Sequence, residues 1–214
     1  LARKHKVALV VGYFDIRRND NRMAFFAANG KWIGEYVKSH LIPVFEKYRA
    51  GSGRPTTVRF GRWKVGGLIC QDDNFTDIAR AYGRRAVSII AVPTNDWAQV
   101  KHHHLENTIF RAVENRFAMV RAATNGISAL ISPRGRVLAR VDHFAAGPAV
   151  ITARMQLMPA TTTLYAWAGD WLAAVCAVFL VMLIVVRRRK TARESSSADK
   201  DASTSRALCA KNLR

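Results

Sequence analysis

Apolar residues fall in short unbroken or alternating runs over the first 155 positions, interrupted by one stretch with helical spacing. Val7 to Val11 and Met23 to Ala28 read as strands, and Asn29-Gly30 turns the second into a third at Trp32 to Val37, a hairpin signature. Val58 to Arg62 leads through Trp63-Lys64 into a strand at Val65 to Ile69. Phe75 to Tyr82 is predicted helical. Ala86 to Val92, rich in β-branched residues, is predicted as a strand that Pro93 closes.

From His104 to Ala122, the residues Leu105, Ile109, Phe110, Val113, Phe117 and Val120 recur at three- and four-residue steps and specify an amphipathic helix that Asn125-Gly126 ends. Strands follow at Ile127 to Ile131 and Val137 to Val141, joined by a Pro133-Arg134-Gly135 turn, with a last one at Ala149 to Ala153. Many strands interspersed with helices imply an α/β layered domain over residues 1–160.

A different pattern follows. Leu164 to Val186 carries a single charge, Asp170, and Tyr165, Trp167 and Trp171 cluster at its start. About twenty apolar residues span a bilayer, and aromatic rings gather at its interface, so residues 164–186 are expected to form a transmembrane helix. Arg187, Arg188, Arg189, Lys190 and Arg193 follow it, against Arg154 alone on the preceding flank. The positive-inside rule then puts the tail, residues 187–214, in the cytoplasm and residues 1–160 on the extracytoplasmic side of a bacterial inner membrane. The tail, with its Ser195-Ser196-Ser197 run, is expected to be disordered.

The chain holds 34 Lys and Arg against 15 Asp and Glu, a net charge of +19, most of it before residue 160. Such a charge favours nucleic acid or anionic lipid as a neighbour, and the apolar span decides for lipid. Cys70, Cys176 and Cys209 fall in the domain, the span and the tail, which excludes a disulfide framework. No zinc-like spacing occurs. The triple His102-His103-His104 reads as the polar lead of a helix rather than a metal site, because adjacent histidines point apart. No metal and no cofactor is expected.

Two segments carry candidate chemistry. Val65-Gly66-Gly67-Leu68-Ile69-Cys70-Gln71-Asp72 is a buried strand that ends in a thiol followed by an acid, and Tyr36-Val37-Lys38-Ser39-His40-Leu41-Ile42-Pro43 with Glu46 offers a cation and a carboxylate. A thiol needs a cation to hold its thiolate and to face a developing oxyanion, and a carboxylate to manage protons. Together they propose thiol acyl-transfer chemistry.

These segments resemble the nitrilase (carbon–nitrogen hydrolase) superfamily. Tyr36-x-Lys38-x-His40-Leu41-x-Pro43 matches its lysine motif and Leu68-Ile69-Cys70-x-Asp72 its nucleophile elbow. Thr94-Asn95-Asp96-Trp97, Arg111-Ala112-Val113-Glu114, Arg121-Ala122-x-Thr124-Asn125-Gly126-Ile127-Ser128 and Pro133-x-Gly135 follow in order. With the C-terminal span, the set looks most like the end of the bacterial apolipoprotein N-acyltransferases. The resemblance implies an αββα sandwich, N-terminally truncated here, plus one transmembrane helix. It also implies Cys70 as nucleophile, Lys38 at the oxyanion and Glu46 as a supporting carboxylate. Asp72 would orient the elbow or cap the next helix, and Asn95, Asp96 and Trp97 would shape the pocket rim. Glu114 and Arg121 are expected to form an ion pair or a helix surface.

The sequence departs from the family pattern in three places. Glu35 is the one glutamate before Lys38, too near it to be the family's general base, which is therefore expected upstream of Leu1. The elbow has Gln71 and Asp72 where an aromatic and a glutamate are usual. The segment between Glu46 and Cys70, where the acyltransferases carry their lipid-embracing loops, is short. The leading expectation is a membrane-bound N-acyltransferase that moves an acyl chain from a phospholipid donor, through a Cys70 thioester, to the amine of a lipoprotein acceptor, with no nucleic-acid partner. A membrane-anchored amidase or nitrilase is the first alternative, and a non-catalytic tethered domain the second.

Overall fold

A computed structural model of the chain describes the backbone of residues 1–158 and 161–211 and side chains as far as residue 191, so that Cys209 and most of the polar tail lie outside the described side chains. Two units separate, Leu1–Gly169 and Asp170–Arg214.

The first unit begins with the short helix α1 (Ala2–His5) and the strands β1 (Leu9–Asp15), β2 (Asp20–Phe26) and β3 (Trp32–Val37), which form a three-stranded antiparallel sheet in the order β1-β2-β3. The hairpin read from Asn29-Gly30 is present, with Gly30 at φ +85°. Next come β4 (Val58–Phe60), β5 (Trp63–Gly67), α2 (Thr76–Arg84), β6 (Ile89–Asn95), α3 (Lys101–Asn115), β7 (Ala118–Thr124), β8 (Ile127–Ile131), β9 (Val137–Asp142) and α4 (His143–Ala146). Strands β4 to β9 build a six-stranded sheet in sequence order, parallel from β5 through β7 and antiparallel elsewhere. Each parallel step needs a crossover, and α2 and α3 supply them. Helix α5 (Leu164–Ala168) returns against α2 and α3, where Thr163 Oγ1 donates to the Glu114 carbonyl at 2.6 Å.

Two apolar cores set the layering. Met23, Phe25 and Tyr36 of the small sheet meet Val58, Val65, Ile69 and Ala91 of the large one, while Leu68, Ile78, Tyr82, Ile90, Leu105, Phe117, Met119 and Ile131 fill the space under the helices. Gly66-Gly67 lets both faces of β5 close up. A Cβ on Gly67 would lie 1.8 Å from Met23 Cε, and one on Gly66 would lie 2.4 Å from Tyr82 Cε1. Helices, large sheet and small sheet are three layers of the expected sandwich.

Four sequence expectations are corrected. The helix predicted to Ala122 ends at Asn115, where Arg116 takes a left-handed φ of 57°, and Ala118–Thr124 is instead a strand. Its buried face is not the predicted apolar one: His104, Thr108, Arg111 and Asn115 point inward with Leu105 and Ala112, while Phe110 is 60% exposed. Pro93 does not close β6, which runs on to Asn95. Past Ala91 that strand has a neighbour on one side only, and such an edge accepts a residue without an N–H. Ala149 to Ala153 forms no strand. Val150 is exposed there, and β9 stays the sheet's edge.

In the second unit, α6 (Trp171–Lys211) is one continuous helix that extends over most of the segment expected to be disordered. Its portion Trp171–Thr191 has a mean hydropathy of 2.2 and none of it is buried, which makes it long and apolar enough to cross a membrane.

Candidate active site

The end of β5 positions the cysteine. Leu68 N–H still donates to the Ala91 carbonyl at 3.0 Å, but Cys70 then enters a 3₁₀ turn, Cys70–Asn74, with φ +48°. A non-glycine residue in that region is uncommon and marks a turn held by its surroundings. The side chain is 8% exposed, and its thiol donates to the Asn95 carbonyl at 3.7 Å.

Lys38 follows the end of β3 and is fully buried. Its Nζ donates to both Glu46 oxygens, at 2.6 and 2.7 Å. Glu46 is fixed in turn, because Oε2 also accepts from Ile42 N–H at 2.7 Å. A buried ammonium without a counter-charge would be strongly disfavoured, and Glu46 removes that cost while leaving the lysine in place.

Asp72 ties the two segments together. Its Oδ1 accepts from Ser39 N–H, His40 N–H and His40 Nδ1 at 3.1, 2.7 and 3.1 Å, and Oδ2 accepts from Tyr36 Oη at 2.9 Å and Ile69 N–H at 3.1 Å. The residues just after Lys38 and just before Cys70 therefore share one carboxylate. Asp72 does not cap α2, whose N-cap is Phe75. The bond to Asp72, opposed by partial burial and aided by Asp77, holds the His40 imidazole above its ordinary pKa, and its ring stacks on Phe75 at 4.2 Å.

Lys38, Glu46 and Cys70 open onto one cavity of about 590 Å³, also lined by Asn21, Ile42, Tyr48, Thr94, Asn95 and Trp97. Burial and then contact with Glu46 push the Tyr48 hydroxyl above its ordinary pKa. Asn95 and Trp97 lie at this cavity as expected, and Trp97 meets Phe45 edge-on at 5.3 Å. Glu46 is the one carboxylate among the described lining residues. Glu35 points elsewhere, to Arg22 and Tyr13 on the outer side of the small sheet.

Asp96 borders, with Asn95 and Trp97, a second cavity of about 240 Å³ beside Cys70. It is buried in a cluster with Asp73, His104 and Arg121 that the sequence reading did not anticipate. His104 Nδ1 meets Asp96 Oδ1 at 2.7 Å and its Nε2 meets Asp73 Oδ1 at 2.5 Å, while Arg121 donates to Asp73 Oδ2 at 2.9 Å and to Asp96 Oδ2 at 2.6 Å. Arg121 thus makes its ion pairs with Asp73 and Asp96, and Glu114 pairs with Arg111. Burial opposes charge on His104, but the two carboxylates outweigh it and push the imidazole up to about 10. The one sequence signal was the polar pair His104 and Thr108, four apart on what became the buried face of α3. Cys70, Asp96 and His104 offer donor atoms within 4.8 Å of one another, but both imidazole nitrogens are committed to carboxylates, so the trio does not fit a metal ion.

The carbon-nitrogen hydrolase family profile matches residues 1–164. The chain belongs to the carbon-nitrogen hydrolase family. Among curated members, it is 31% identical over 165 residues to the apolipoprotein N-acyltransferase of Geobacter metallireducens, covering 64% of this chain and 32% of that protein. It is 29% identical over 152 residues to apolipoprotein N-acyltransferase 1 of Treponema denticola, covering 69% of this chain and 27% of that one. The chain thus spans about a third or less of the length of these relatives. Among solved structures, an amidase from Nesterenkonia sp. superposes with a TM-score of 0.61 at 22% identity, covering 66% of this chain and 59% of the amidase, which establishes the nitrilase-like fold.

Proposed function

We propose that this family member is a membrane-bound N-acyltransferase whose nucleophile is Cys70. The observation that carries the reading is that Cys70, Lys38 and Glu46, brought from two separate stretches of sequence, line a single cavity. The Cys70 thiolate attacks the ester carbonyl of a phospholipid. A C–S bond forms, the C–O bond breaks, and the lysophospholipid leaves as an alcohol after taking up a proton. A lipoprotein's terminal amine then attacks the thioester. A C–N bond forms, the C–S bond breaks, the amine gives up a proton, and the thiolate is regenerated.

Lys38 faces the oxyanion in both steps, where a charge-assisted donor is about twice as strong as a neutral one. Glu46 keeps that ammonium charged and oriented. Substrates that both reside in the bilayer match a chain that has, among its described residues, one apolar helix of membrane-spanning length, and whose net charge of +19 favours anionic headgroups as neighbours. The basic run after the span orients residues 1–160 outward and the tail to the cytoplasm.

The test uses the full-length protein with a phospholipid and a synthetic diacylglyceryl-cysteine peptide. Formation of a triacylated peptide that Cys70→Ala abolishes supports the reading. Release of ammonia from small amides without peptide acylation would replace it with an anchored amidase.

A further inference from the structure

Beside Cys70, and bordering a second cavity of about 240 Å³ through Asp96 and His104, lies the buried cluster of Asp73, Asp96, His104 and Arg121. His104 Nε2 also approaches the Cys70 carbonyl, at 3.2 Å, and a ring nitrogen of His104 and an oxygen of Asp96 lie within 4.8 Å of the Cys70 sulfur. Thr94 and Thr108 hydroxyls donate to Asp96 and Asp73 at 3.0 and 2.6 Å, which saturates the carboxylates. With the imidazole protonated the cluster is neutral, two carboxylates against two cations.

We propose that His104 is a positioning residue for Cys70, its Nε2–H shared between Asp73 Oδ1 and the carbonyl of the left-handed Cys70, and its charge cancelling the negative charge that Asp73 and Asp96 would otherwise present to the thiolate. The inference rests on the reading of Cys70 as nucleophile. The charged and titratable groups that line the large cavity with the sulfur are Lys38, Glu46, Tyr13 and Tyr48. On the cluster side the groups are His104 on α3, Asp96 just past β6, Arg121 on β7, and Asp72 and Asp73 in the 3₁₀ turn. Removing the His104 charge leaves a net negative cluster at the sulfur, and a like charge at that range disfavours the thiolate.

The measurement is the pH profile of Cys70 alkylation by iodoacetamide in the full-length protein, read on the Cys70 peptide by mass spectrometry. His104→Asn is expected to raise the inflection by at least about one unit, slowing alkylation by about ten-fold or more at pH values below the native inflection. Asp73→Asn, which leaves the cluster positive, is expected to lower it, and the double variant to return it toward the native position.

A folded His104→Asn protein with an unmoved inflection overturns the proposal and leaves His104 a purely structural group, which would lower the melting temperature without touching the profile. Should His104→Asn fail to fold, an Asp73→Asn inflection that stays or rises overturns it instead. If native Cys70 alkylates no faster than glutathione, both the nucleophile reading and this inference fail. If native Cys70 is fast and the variants match it, this inference fails alone.

Discussion

Asp72→Asn exchanges one carboxylate oxygen for an amide nitrogen without changing the size of the side chain, and the geometry says which oxygen. Oδ1 receives two backbone N–H groups and the His40 ring, so the amide oxygen must stay there, and the new NH2 falls at Oδ2. At that position it faces Ile69 N–H, which loses its acceptor, while the Tyr36 hydroxyl can turn to accept. Losing a charge-assisted bond costs about 1.5–3 kcal/mol and stranding a buried N–H about 1–3 kcal/mol, and the two overlap. A destabilisation of about 2–4 kcal/mol is expected, read as a lowered urea midpoint by tryptophan fluorescence in detergent. Because the same carboxylate sets the lysine segment against the elbow, activity should fall further than stability, by about a hundred-fold if the two shift by an ångström. A loss below about 0.5 kcal/mol, the range of ordinary surface changes, would refute the view that Asp72 joins the two segments.

Lys38→Met removes the buried cation and leaves Glu46 facing only Ile42 N–H and Tyr48, and should cost about 3–5 kcal/mol in a urea titration as well as all detectable turnover. Raising the pH should loosen the fold. The folded-state pKa of His104, about 10, lies above the ordinary value of 6.5, so its contribution is complete below about pH 6.5 and lost as pH rises through 10. A melting temperature that falls over that window in native protein but not in His104→Asn would check the sign. Gly66→Ala places a methyl 2.4 Å from Tyr82 Cε1 and 2.9 Å from Ile90 Cδ1, and overpacking of that kind should cost about 1–3 kcal/mol in thermal melts.

Much of the fold was legible because local signals agreed with tertiary ones. Asn29-Gly30 specifies its hairpin by backbone preference alone, and the run from Val65 to Ile69 has no reading other than a buried strand leading to Cys70. The α3–β7 boundary was not legible. Phe117 and Val120 continue the helical spacing by coincidence, and the left-handed Arg116 that breaks the helix carries no glycine to announce it.

At the candidate site, motif order singles out Cys70, Lys38 and Glu46, but nothing in the sequence says that Asp72 receives five hydrogen bonds from both segments. The Asp73–His104–Arg121–Asp96 cluster was hidden for a simple reason. Polar residues at helical spacing look like a solvated face, and only long-range partners from a strand, a strand end and a turn reveal that they point inward.

The central claim is that Cys70 carries the acyl group. Full-length protein incubated with phospholipid, quenched in acid and digested should yield the Cys70 peptide heavier by one fatty acyl chain, and neutral hydroxylamine should remove the addition. An unmodified Cys70 peptide from protein that still acylates its acceptor, or acceptor acylation that persists in Cys70→Ala, would contradict the account.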